Sequence, residues 1–226
     1  MEGWSEKILN SIDTSKTEIL CLLDTVEKQA EEEIEGTEAH EHEEEEHEEE
    51  IEYDEHIWSS TENAKTMVKY LANYISKRDE KNKETYQKNT NTYIAEIDKL
   101  TEDIQEIVNN RKRDRIVFGD KMPMQYFINQ FGLKVSAAFS GCSTETEPSS
   151  ATIAYLVNKI KEEKIPVVLY IELNDGKIAH TIAEEAGVET AQIQTLHNIS
   201  KQDFDNGETY VSLMRRNLEV LKKALQ

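Results

Sequence analysis

Six histidines and one long run of carboxylates carry most of the chemistry available to this chain. From Glu27 to Glu55, seventeen of twenty-nine residues are Asp or Glu, and Lys28 is the only base. His40, His42 and His47 punctuate the run, which closes on Asp54-Glu55-His56-Ile57-Trp58. Imidazole nitrogen suits transition metals, and carboxylates add charge and further ligands. Farther along, four apolar runs end in residues that can ligate. Asp120 follows 116–118, and a loop at 140–149 holding Cys142 and Glu147 follows 134–139. Glu172 follows 166–171, and His197 follows 190–195. His, Asp and Glu around one crevice form a set suited to zinc or manganese. Each has a plainer reading on its own. An acidic run is usually a solvated linker, a strand-end acid a helix cap, a loop histidine a solvated one, and Cys21 or Cys142 small filler.

Composition narrows the classes. The formal net charge is −20, of which the run from Glu27 to Glu55 supplies −16 (seventeen acids less Lys28), leaving −4 for the rest. Phosphate contacts need Lys and Arg, so nucleic acid is not an expected partner. The start, Met1-Glu2-Gly3-Trp4, shows no basic stretch before an apolar one, so the sequence as given is expected to stay cytoplasmic. Two cysteines cannot frame a disulfide-stapled fold. Gly-x-Ser-x-Gly, Gly-x-Gly-x-x-Gly, phosphate-loop and His-Glu-x-x-His motifs are all missing, which argues against an enzyme.

The elements that must position these residues follow from periodicity. Residues 18–23 read as a buried strand with no partner before it. The run 25–55 has too little apolar surface to order itself and reads as disordered. Ser60-Thr61-Glu62 opens an amphipathic helix to about residue 77, with Ala64, Met67, Val68 and Leu71 on one face. A second helix over 82–110 carries a narrow stripe of Tyr86, Tyr93, Ile97, Leu100, Ile104 and Ile107. At 1.5 Å per residue it is about 40 Å long, a strut on the scale of a domain. From 115 onward strands (115–118, 134–139, 166–171, 190–195) alternate with helices (122–131, 149–163, 175–186, 207–225). The fold expected is α/β: a C-terminal lobe with a four-stranded, mostly parallel sheet flanked by helices, preceded by a long rigid linker helix. Ligands in such sheets sit at the carboxyl ends of strands, where the candidates above lie.

In this order, the residues resemble the zinc/manganese solute-binding proteins of ABC transporters, in which a rigid helix joins two α/β lobes. The resemblance rests on the acidic His-rich run, Asp54-Glu55-His56-Ile57-Trp58, and the uninterrupted helix. It continues through Ile116-Val117-Phe118-Gly119-Asp120 with Tyr126-Phe127, Gly141 with Glu147-Pro148-Ser149, Ala183-Glu184-Glu185-Ala186-Gly187, and Thr209-Tyr210 with Asn217-Leu218. It implies a metal held between lobes by about four side chains. His56 matches a family ligand position; Asp120 stands where the family has a His or Glu, one residue farther from Tyr126-Phe127 than usual. His197 falls near the last ligand, and Glu172 matches an acid that supports the site. Cys142 and Glu147 are accessory candidates. His40, His42 and His47 match a metal-collecting loop.

The expectation is therefore a non-catalytic zinc (alternatively manganese) binding component of an ABC metal importer, with the permease as partner. The family is extracytoplasmic and membrane-anchored. Five regions are expected: a remnant of an N-terminal lobe (1–24), the acidic loop (25–55), a helix of that lobe (56–80), the linker helix (82–110) and the C-terminal lobe (111–226). Most of the first lobe is expected to be missing, with a separate fragment or self-association supplying it. Two competing readings stay open: an intracellular acidic metal buffer, and an interaction module built on the long helix.

Overall fold

The computed structural model describes residues 5–35, 37, 52–141 and 147–226. Its elements in chain order are α1 (Ser5–Leu9), α2 (Thr61–Arg78), α3 (Lys83–Asn109), β1 (Arg115–Lys121), α4 (Gln125–Phe131), β2 (Lys134–Phe139), α5 (Ser150–Glu163), β3 (Val167–Ile171), α6 (Lys177–Ala186), β4 (Glu189–Ile193), α7 (Lys201–Asp205) and α8 (Tyr210–Leu225). Short 3-10 turns occupy Leu22–Thr25, Ile57–Ser59 and Glu80–Asn82. The four strands form one sheet in the order β2-β1-β3-β4, and every pair is parallel. The α/β expectation is met, and the sheet is wholly parallel.

Alternation along the strands sends side chains to two faces. Ile116 and Phe118 of β1, with Leu169 of β3, join Leu100, Ile104 and Val108 of α3, Phe127 of α4 and Met214 and Leu221 of α8. Val117 and Val168 point the other way, onto Leu156 and Ile160 of α5 and Ala179 and Ile182 of α6. Helix α3 shares that first face only through its second half. Its earlier turns lie against α2, where Ile97 meets Ala64 and Val211.

Local chemistry sets the boundaries. Ser60 caps α2 by accepting the Asn63 amide, Ser149 caps α5 through Thr152, and Thr209 forms a reciprocal box with Ser212 at the start of α8. Helix α4 starts at Gln125 rather than 122, because Pro123 keeps Met122 out of helical backbone. α8 begins at Tyr210 rather than 207, and α7 is a turn the periodicity did not reveal.

Two expectations fare differently near the start. Residues 18–21 carry no strand assignment and Leu22–Thr25 is a 3-10 turn, since among the described residues no strand lies alongside to bond it. The described ends of the acidic run are ordered against the sheet domain. Ala30 bridges Tyr53 antiparallel, Glu31 N–H donates to Glu52 O (2.9 Å), and Asp54 N–H to Gln29 O (3.0 Å). Gln125 accepts the Glu32 amide (3.0 Å) and donates to Ala30 O (2.7 Å). Ile34 is buried in the main core.

Candidate metal centre

His56 stands at the end of that antiparallel ribbon and at the head of the turn Ile57–Ser59. It is 2 % exposed, as is Asp54. One Asp54 oxygen accepts the His56 backbone amide (2.7 Å) and lies 3.2 Å from Nδ1. An Asp two residues before its partner closes on the local backbone in this way without distant help. With Nδ1–H donating to Asp54, the Nε2 lone pair is the one left for a ligand, the arrangement metal-binding histidines adopt.

His197 reaches the same place from the other end of the described chain. It is exposed on the loop after β4, and its ring centroid lies 5.4 Å from that of His56, with planes at 72°. Zinc bound about 2.0–2.1 Å from one nitrogen of each ring would lie roughly 3.2 Å from each centroid, and a tetrahedral angle would separate the centroids by about 5.2 Å. The observed spacing suits two imidazoles sharing one ion. Trp58 completes a three-ring group, edge-on to His56 at 5.4 Å and parallel to His197 at 6.0 Å.

The loop bearing His197 is held from beneath by Glu172. Its buried carboxylate accepts Thr195 N–H (2.8 Å), Thr195 Oγ1–H (2.8 Å) and Asn198 N–H (3.2 Å), clasping the backbone on both sides of the histidine.

Asp120 is placed differently. β1 and β2 slip register between Phe118 and Lys121, and the backbone pairing of β1 with β3 stops at Phe118–Leu169. The Asp120 carboxylate takes over there, accepting Ile171 N–H (3.1 Å) and Lys121 N–H (2.8 Å). Burial pushes its pKa above the usual carboxylate range against these bonds. Among the described residues, no three His, Cys, Asp or Glu side chains converge to hold an ion, so Asp120 and Glu172 do not join the histidine pair here. Glu147 is exposed in the loop before α5. Cys142, His40, His42 and His47 lie outside the described residues.

Two contributors carried no individual role in the sequence reading. Asp54 orients His56, and its signal was the Asp-x-His spacing. Trp58, fourth after Asp54, has its indole on the Thr195 carbonyl (3.1 Å). That contact joins parts of the chain too far apart for spacing to reveal.

The whole chain can be compared with known proteins. The family profile described as "Zinc-uptake complex component A periplasmic" (ZnuA) matches residues 1–224. The chain is 33% identical over 229 residues to the zinc-binding lipoprotein AdcA of Streptococcus pneumoniae R6, covering 99% of this chain and 44% of the relative. It is 33% identical over 172 residues to the high-affinity zinc uptake system protein ZnuA of Bacillus subtilis 168, covering 76% and 53%. It thus spans about half the length of these relatives. The Zn(II)-bound ZnuA-like domain of S. pneumoniae AdcA superposes with a TM-score of 0.74 at 27% identity, over 100% of this chain and 76% of that one. The metal-dependent lipoprotein YcdH of B. subtilis gives 0.67 at 32%, over 76% and 64%. With this match along nearly its whole length, the chain belongs to the ZnuA family of zinc-uptake components.

Proposed function

We propose that this chain is the metal-holding part of a high-affinity zinc-binding component of an ABC importer, with His56 and His197 as two of the ion's ligands. The observation that carries this is the pairing of the two imidazoles at ion-sharing distance, one with its Nδ1 on a buried carboxylate. Zinc is the cargo. Neutral imidazoles replace part of its water shell, and a two-imidazole donor set favours zinc over manganese. Asp120, already accepting the Ile171 and Lys121 amides, is a further candidate ligand; Glu172 supports the His197 loop, with Cys142 and Glu147 as accessory positions. His40, His42 and His47 collect metal, and the permease receives it. Binding here is non-catalytic. The relative named a lipoprotein supports an extracytoplasmic, membrane-attached setting; among the described residues no helix is long and apolar enough to cross a membrane.

Calorimetric titration with Zn²⁺ tests the reading. One site tighter than the rest is expected, lost in His56→Ala and in His197→Ala and kept when residues 38–51 are deleted. Its affinity should be weaker in acid, because protons and metal compete for the same imidazole nitrogens. Several weak equivalent sites that vanish with the deletion would instead identify an acidic metal buffer, and sink the proposal.

A further inference from the structure

We infer that Trp58 is the positioning residue of the histidine pair: its indole latches the His56 turn to the His197 loop and sets the imidazole spacing before metal arrives. The inference rests on the zinc reading above. His56 and His197 belong to segments that the backbone does not connect locally, so something must fix their separation. Trp58 lies in the same 3-10 turn as His56 and donates Nε1–H to Thr195 O (3.1 Å), two residues before His197. Its own carbonyl accepts the Tyr210 hydroxyl (3.0 Å), which ties the turn to the first residue of α8. The indole then lies parallel to the His197 ring, with planes 4° apart, and meets the His56 ring edge-on.

The loop itself requires such restraint. Leu196 has φ +63°, a left-handed backbone that a branched side chain adopts only where its surroundings impose it. Glu172 imposes it from the β3 side and Trp58 from the His56 side, and their hydrogen bonds meet on Thr195. A simpler role for Trp58 is apolar filling, since it also packs against the cluster of Ile57, Met67 and Tyr126. The two roles differ in what the N–H does. A filler needs the ring alone, whereas a latch needs the donor.

Trp58→Phe keeps a ring and removes the donor. With Zn²⁺ in calorimetry, the variant is expected to bind about ten- to a hundred-fold more weakly, the usual loss when a group orienting a metal ligand is removed. Its Co²⁺ form should show shifted visible ligand-field bands, a change that apolar filling does not cause. In the unmodified apo chain, the Trp58 indole N–H should exchange with solvent far more slowly than free indole, a readout independent of any variant's folding. Wild-type affinity and an unchanged cobalt spectrum in Trp58→Phe, with His56→Ala still abolishing the site, would overturn the latch and leave the zinc reading standing. Unprotected indole exchange would also overturn it. Zinc binding indifferent to His56→Ala would bring down both.

Discussion

At the scale of single residues, Arg115 and Lys159 grip the acidic run at Glu35. Arg115 is nearly buried; its guanidinium meets Glu35 (2.7 Å) and Glu163 (3.1 Å) and donates to Ser136 Oγ (2.9 Å). The neighbouring Tyr155 hydroxyl, then Lys159 and Arg115, hold the Glu35 carboxyl down to about 2 from 4.5. Tyr155 Oη makes no hydrogen bond of standard geometry, whereas Arg115 (2.7 Å) and Lys159 (3.2 Å) both form ion pairs with Glu35. A depressed acid stabilises the fold above its unfolded pKa and loses that contribution as pH falls through the folded value. The window here runs from about 4.5 down to about 2. Glu35 is about half exposed, and solvent screening limits its worth to about 1 kcal/mol or less. Glu35→Gln is thus expected to destabilise by that order at pH 7 and not at pH 2, as measured by denaturant unfolding at both. A gap that persists unchanged at pH 2 would remove the carboxylate as its source.

At the scale of elements, Gly119 decides how closely α6 lies on the sheet. A Cβ there would fall 2.4 Å from Ala179 Cα, inside backbone rather than against a side chain that could swing away. Gly119→Ala is expected to cost about 1–3 kcal/mol through overpacking, read as a lower denaturation midpoint. A midpoint equal to wild type would show that α6 shifts freely. Much of this layer was legible in the sequence, because the apolar run 166–171, the stripe on α3 and the serine caps act locally. The segment 18–21 was misread because apolar β-formers become a strand only beside another strand. The ribbon of Ala30 and Tyr53 was missed because seventeen carboxylates hid the few residues that dock. For the site, the Asp54-x-His56-x-Trp58 motif and the end of β4 pointed to the two histidines. The engagement of Asp120 was not legible, since it depends on a register slip that no residue type announces.

At the scale of the molecule, a wholly parallel sheet has two outer strands, and the acidic run attends to one of them. Ile34 inserts into the main core beneath β2, and Glu35 bridges Ser136 on that strand's outer side. Burying an isoleucine contributes about 1.5–3 kcal/mol, more than the surface charges nearby. A run that looks expendable by composition is therefore expendable only in part. Removing 38–51 leaves these two residues seated; removing 27–51 withdraws both and bares the main-chain groups of β2. Bared strand margins recruit other chains. Sedimentation should find the shorter deletion in the same association state as wild type and the longer one prone to self-association and precipitation, so Ile34 and Glu35 act as a guard against aggregation.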